Sequence, residues 1–308
     1  MKNILVVGAS GFVGGHLVRA LVEEGRTVRC LTRNPEKVAA LVGPRCEAVQ
    51  GDISDPSSLL QALEGVDAVY LTVHTLSPQP ASPGQGFMEI EFQGLENIVA
   101  ACHTRGVKRL ISLTSLGIGP QATNPWTQGR WKGEQRLMAS GLDVTVVMPG
   151  QIVGRGGHGF DTMEAQARRR VAVVMGSGRR PWRNIAVEDL VYYLVGVLDD
   201  ARTYGHRYEV GCDDVLTYHQ MVDTAAEVLG RPHPFKIDIP GWFLVALAPL
   251  IEGRSGLPPG ALAGLFGGEA TDMVGDPDPI RALLPRPPLS YRRAVEAALK
   301  SEVQQASS

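Results

Sequence analysis

The sequence predicts an α/β fold built on a doubly wound parallel sheet, with a smaller subdomain on its C-terminal side. Short apolar runs alternate with amphipathic stretches from residue 1 to 153, as in repeated βα units joined by right-handed crossovers. Gly8, Gly11 and Gly14 follow the first apolar run at a spacing of three. After residue 153 the alternation gives way to segments rich in Gly and Pro. This divides the chain into a core at 1–153 and a substrate-side subdomain with a helical tail at 154–308. The two are interleaved, with one strand returning from the second to the main sheet.

Ile4-Leu5-Val6-Val7 reads as a short buried strand, followed by a helix that runs to about Glu24. Gly8 permits the tight turn, Gly11 lets the backbone approach a pyrophosphate, and Gly14 lets the helix lie close on the sheet. The helix amides and dipole then face negative charge, as a dinucleotide requires. An ordinary strand–turn–helix is the alternative.

The second strand, near 27–32, ends at Thr32-Arg33, where folds that prefer NAD carry an Asp or Glu for the ribose 2′-hydroxyl. An acid there would repel a 2′-phosphate, whereas the Arg33 guanidinium would bond it, so the cofactor reads as NADP; a solvated loop arginine is the alternative. The third strand, near 46–50, leads into Gly51-Asp52-Ile53, and Asp52 is a candidate acceptor for an adenine amino group. Asp55 or Ser54 is the better N-cap for the helix at 56–64.

Further strands are expected near 67–73, 108–114 and 143–148. A long helix around 87–105 carries Ile90, Leu95, Ile98, Val99 and Cys102 at helical spacing. Residues 154–159 hold four glycines and read as a flexible loop. Strand–helix pieces follow around 184–199 and 207–229, then a tail rich in Pro and Gly from Pro240 and a closing helix near 291–300.

With 44% apolar and 20% charged residues and a net charge of −2, the composition is that of an ordinary soluble protein with no basic footprint for nucleic acid. Arg168-Arg169-Arg170 reads as a solvated helix end. Cys30, Cys46, Cys102 and Cys212 form no Cys-x-x-Cys pair and have no nearby His; they read as core residues of a reducing, cytoplasmic compartment, with no metal site. No signal peptide is expected ahead of the first strand, and no stretch is long enough to span a bilayer. The apolar stretch 242–251 is a buried helix, a lid over a greasy substrate, or a membrane-surface contact.

The order of these parts resembles the short-chain dehydrogenase/reductase superfamily, with its Rossmann-type sheet, and in particular its atypical extended members, the NAD(P)H-binding or NmrA-like type. The residues that carry the resemblance are Gly8-Ala9-Ser10-Gly11-Phe12-Val13-Gly14, Asp52-Ile53, Leu71-Thr72-Val73-His74-Thr75, Lys132-Gly133-Glu134-Gln135, Pro149-Gly150 and Asn184–Leu190. The resemblance implies that Gly8, Ser10, Gly11, Phe12, Val13, Arg33, Asp52, Ile53, Thr72, Val73, Lys132 and Pro149 bind the cofactor. It places Ser115 and Lys132 in a catalytic site beside a small-molecule substrate.

Standard members pair Lys with a Tyr four residues earlier, whose phenol, with its pKa lowered by the ammonium, exchanges the substrate proton. Here that position is Gln128, and an amide cannot act as a general acid near neutral pH. His74 could take that role, since an imidazole titrates near neutrality, or it is a structural histidine. Lys132 can donate the proton itself or hold the nicotinamide ribose. A conjugated acceptor can also take its proton from water. Trp126, Trp131 and Trp182 line an aromatic pocket or pack in the core. Arg179, Arg180 and Arg183 meet an acidic substrate, a cofactor phosphate or solvent.

The activity expected is hydride transfer between NADPH and a carbonyl, enone or quinone. The alternative is a non-catalytic NADP-binding protein, a redox-sensing regulator or accessory subunit; an epimerase or dehydratase ranks third. The expected assembly is a monomer or homodimer.

Overall fold

Apolar runs bounded by turn residues become buried strands, and helices cover them on both faces. The computed structural model describes residues 1–73, 87–123, 125–176, 178–255 and 273–305. In chain order the first half contains β1 (Asn3–Val7), α1 (Phe12–Glu23), β2 (Thr27–Thr32), a 3-10 turn (Pro35–Leu41), β3 (Cys46–Gln50), α2 (Pro56–Ala62) and β4 (Ala68–Leu71). It continues with α3 (Phe87–Arg105), β5 (Arg109–Leu113), α4 (Pro125–Met138) and β6 (Asp143–Pro149). The second half adds β7 (Gln151–Val153), α5 (His158–Ala167), β8 (Val171–Met175), β9 (Pro181–Ala186), α6 (Val187–Gly196) and β10 (His206–Val210). It ends with β11 (Val215–Thr217), α7 (Tyr218–Val228), β12 (Phe235–Ile239), α8 (Gly241–Ser255), α9 (Asp278–Leu283) and α10 (Tyr291–Gln305).

The central sheet has seven parallel strands in the order β10-β6-β5-β4-β1-β2-β3. The chain winds outward from β1 in both directions, which opens a crevice at the carboxyl ends of β1 and β4. Two small sheets flank it, β11-β9-β7 and the two-stranded ribbon β12-β8. The expected flexible loop at 154–159 is shorter than predicted, because α5 starts at His158 with Gly157 as its N-cap. Glycine density was the wrong signal there: the glycines make room for the Phe12 ring, which a Cβ on Gly154 or Gly157 would meet at 2.7 Å.

Both faces of the sheet are buried. Leu17, Val18 and Leu21 of α1 pack with Leu190, Tyr193 and Leu194 of α6 on one side. Leu59 of α2, Ile98 and Cys102 of α3 and Leu137 of α4 cover the other. A third cluster, with Phe160, Met163, Ala172, Met221, Tyr291 and Val295, joins α5, β8, α7 and α10. The Thr217–Gln220 capping box fixes the start of α7.

The strand ladder is stapled by the buried Arg109 on β5. It donates to the carbonyls of Leu198 (3.0 Å), Asp143 (2.7 Å) and Val197 (2.5 Å) and to the hydroxyls of Thr145 (2.8 Å) and Thr203 (3.3 Å). A guanidinium taken out of water needs most of its donors satisfied, and this one reaches β6 and the turn after α6 at once.

Candidate active site

The site is assembled where the parallel strands end. Gly8 leaves β1 with φ +95°, and a Cβ there would lie 2.8 Å from the Thr72 hydroxyl. A Cβ on Gly14 would lie 2.2 Å from the Gly8 carbonyl oxygen, so α1 closes onto β1 only because that Cβ is missing. Gly11 donates to the Gly8 carbonyl at 2.9 Å and serves as an N-cap with no side-chain cap. Gly15 donates back to Gly11 at 2.9 Å, leaving the Phe12, Val13 and Gly14 amides as the open donors of the first turn. No acidic residue occupies that turn, so the positive end of the dipole is available to an anion. The cradle fits a dinucleotide pyrophosphate.

The side chains of this loop play different parts. Val13 is buried in the core and Phe12 stands edge-on to His16 with ring centroids 5.3 Å apart; these two offer the crevice backbone amides. Ser10 is exposed. Thr72 and Val73 follow β4, and the Thr72 hydroxyl donates to the Val7 carbonyl at 2.9 Å, locking the two strand ends together. His74 lies outside the described residues.

At the outer end, Arg33 after β2 and Asp52 after β3 face each other, with Arg33 Nε 3.8 Å from Asp52 Oδ2. Arg33 is half exposed, and together with Gln50, Gly51, Ser57 and Ser58 the pair lines an open polar depression. Asp52 Oδ1 accepts from the Ser54 amide and hydroxyl, both at 2.8 Å, while Asp55 caps α2 through the Ser57 amide. Ile53 turns inward against Gly94 of α3. Gln50 lines this depression beside Arg33, a placement that the sequence reading did not single out.

Ser115 stands two residues beyond β5. The Thr114 amide donates to Val147 and the Leu116 amide to Pro149, at 3.0 and 2.8 Å, so the β5–β6 ladder continues past the strand and sets Ser115 beside Pro149. On α4, Gln128 and Lys132 are one turn apart on one exposed face. Gln128 donates to the carbonyls of Ala122 (3.2 Å) and Thr123 (3.4 Å), tying the loop after Ser115 to the helix. Lys132 makes no hydrogen bond or ion pair with the described residues.

The opposite face of α4 is held by charge. Arg130 pairs with Glu91 of α3 at 2.8 Å, both nearly buried. Glu134 pairs with Arg207 of β10, whose guanidinium also lies 4.7 Å from the centre of the Trp131 ring. Burial pushes the Glu134 carboxyl above the ordinary carboxylate range, and Arg207 opposes that shift. A cavity of about 50 Å³ lined by Ile53, Val73, Thr114 and this Glu91–Arg130 pair adjoins the crevice; it is too small for an organic substrate, which needs roughly 300 Å³.

The other aromatic and basic candidates are packed or exposed. Trp126 is buried with Arg130 beside its ring, and Trp182 packs on the C-terminal core. Arg183 donates to the carbonyls of Val274 and Cys212, both at 2.6 Å, while Arg179 and Arg180 are exposed. All four cysteines are free and buried, with Cys30 and Cys46 Sγ atoms 3.5 Å apart. Among the described residues no cluster of His, Cys, Asp or Glu stands where a metal ion could sit, and no helix is long and apolar enough to cross a membrane.

A family model described as NAD(P)H-binding matches residues 8–178. Sterol demethylase protein B of Methylococcus capsulatus is 30% identical over 269 residues, 79% of each chain. The (4-alkanoyl-5-oxo-2,5-dihydrofuran-3-yl)methyl phosphate reductase of Streptomyces griseus is 30% identical over 236 residues, 76% of each chain. In fold, the chain matches a UDP-glucuronic acid 4-epimerase from Bacillus cereus, solved with UDP-glucuronic acid and NAD, at a TM-score of 0.76 and 15% identity, covering 99% of this chain and 100% of that one. With its glycine cradle, switch-point crevice and α4 lysine, the chain belongs to the NAD(P)H-binding family of atypical short-chain dehydrogenases/reductases.

Proposed function

We propose that this protein is an NADPH-dependent reductase of a small or medium organic acceptor: a carbonyl, an enone or a quinone. The coarse activity, NAD(P)-dependent oxidoreductase, accords with its family and with the reductase relative. The preference for NADPH rests on Arg33, a half-exposed guanidinium at the end of β2 where a 2′-phosphate would lie. When bound, the nicotinamide supplies the hydride. The Phe12, Val13 and Gly14 amides hold the pyrophosphate, Asp52 orients the adenine, and Thr72, Val73 and Pro149 line the nicotinamide side. Lys132, with no hydrogen-bond or ion-pair partner among the described residues, holds the nicotinamide ribose. Ser115 donates a hydrogen bond that orients the acceptor.

Gln128 offers no acid near neutral pH, so the chemistry that fits is hydride addition to a conjugated, electrophilic double bond that takes its proton from water. The same residue favours a second reading, a protein that binds NADP as a sensor or accessory subunit. Its amide is already engaged with two backbone carbonyls, as a purely structural residue would be.

Titrating nucleotide-free protein with NADPH and NADH in parallel, by energy transfer from tryptophan, tests the cofactor. Selective NADPH binding and its oxidation by an enone or quinone support the reductase; a nucleotide that copurifies at one per chain and resists every acceptor supports the sensor. Failure of a folded protein to bind either nucleotide defeats both.

A further inference from the structure

The two-stranded ribbon β8–β12 presents one face to the third core cluster and leaves the other bare. Ala172 and Val174 are buried, whereas Val171, Val173 and Met175 between them are exposed. The parallel register sets Phe235 beside Val171, Ile237 beside Val173 and Ile239 beside Met175, so six apolar side chains share one side of the ribbon. Phe235 is 70% exposed and Met175 57% exposed. The polar residues of β12 turn the other way: Lys236 pairs with Asp223 of α7 and Asp238 with His219.

The apolar face continues onto α8, which starts two residues after Ile239. Leu244 and Ala248 are buried, but Trp242, Phe243, Leu247 and Leu250 face outward, with Trp242 72% exposed. A protein in water rarely leaves so many large apolar side chains uncovered within neighbouring elements, and an exposed ribbon edge invites association.

The charge around this face identifies what covers it. From residue 165 to 187 the chain carries six arginines and no acidic residue, although its net charge is −2. Arg169 and Arg170 directly precede β8, and Arg179 and Arg180 follow Met175 by four and five residues. All four are exposed, and none forms an ion pair with the described residues. An apolar strip with a free guanidinium pair at each end and a tryptophan at its margin matches the layered chemistry of an anionic lipid surface, with acyl chains under phosphates. It fits a second copy poorly, because a two-fold contact sets the same patch against itself and brings arginine pairs together.

We propose that the outer face of the β8–β12 ribbon, bracketed by Arg169–Arg170 and Arg179–Arg180 and continued by Trp242, docks this protein on an anionic bilayer. The docking is interfacial and reversible. It would bring the crevice close to acceptors dissolved in lipid.

The test is co-sedimentation of the full chain with phosphatidylcholine vesicles with and without phosphatidylglycerol, together with Trp242 emission. About tenfold more protein should pellet with the anionic vesicles, and that excess should fall as salt is raised. Emission should shift to the blue with wild type and not with Trp242→Phe. Arg169→Glu with Arg170→Glu, and separately Val173→Asp, should each remove the excess while NADPH binding, the check on folding, is unchanged. Equal pelleting with both vesicle types, or none with either, overturns the proposal. So does a concentration-dependent dimer, abolished by Val173→Asp, in a protein that ignores vesicles; that result assigns the face to a second copy.

Discussion

In the proposed cofactor pose, Arg33 and Lys132 hold the two ends of the nucleotide. Replacing Arg33 by Asp puts a second carboxylate beside Asp52, where it repels a 2′-phosphate and accepts from a 2′-hydroxyl. Arg33→Asp should move the preference from NADPH toward NADH in parallel fluorescence titrations; equal weakening of both nucleotides would instead mark Arg33 as structural. Lys132→Ala should lower turnover or cofactor affinity at least about tenfold. An unchanged enzyme would remove Lys132 from the site. Gly8 and Gly14 were legible because each meets a backbone constraint that no other residue tolerates, while a Cβ on Gly11 would come 3.2 Å from the Gly8 carbonyl oxygen. The role of Gln128 was legible only as an absence. That its amide holds the 122–123 backbone needed three dimensions, since nothing in the local sequence says where a loop returns.

Among the elements, β5 and α4 carry the densest set of constraints. Arg109→Leu should destabilise the fold by at least about 3 kcal/mol in urea unfolding, since it strips the charged donor from two buried carbonyls, a partly buried one and two buried hydroxyls. A loss under about 1 kcal/mol would mean that water or neighbouring groups satisfy those acceptors. A lone arginine at the start of an apolar strand reads from sequence as a surface residue, and its partners lie 34 to 94 positions away. The inner strands β1, β4, β5 and β6 were legible because each pairs two covered faces with a short apolar run. By contrast, β8 and β12 escaped notice: Val171–Met175 has the composition of a fully buried strand, and periodicity alone cannot tell which residues lack a covering layer. For the same reason the 242–251 stretch is neither simply core nor simply surface; it is both, on opposite sides of α8.

For the molecule as a whole, the acid limb of stability passes through His16. Burial lowers its pKa, Glu188 across on α6 pulls it back up, and Arg19 adds to the lowering. In the unfolded chain it titrates near its ordinary value of about 6.5. Between that value and the lower folded one, the unfolded chain binds a proton that the native protein refuses. Stability from His16 is therefore whole above about 6.5 and declines as pH falls through the window to the folded pKa. Urea midpoints should drop between pH 7 and pH 5, and His16→Gln should flatten part of that slope. A slope identical to wild type would assign acid sensitivity to other groups.

The pairing of β10 with β6 also dictates an order of events during folding. Because that pairing is parallel, the chain from Gly150 to Gly205 must cross over before the seventh strand can dock. All six N-terminal strands can register as soon as β6 is made, yet β6 itself keeps a bare edge until Val210 has been synthesised. Non-local parallel pairing of this kind is slow, because the entropy of closing the crossover is spent before any contact returns it. A nascent chain interrupted before His206 is thus the species most exposed to edge-to-edge aggregation, and the one a holdase would find most useful to grip.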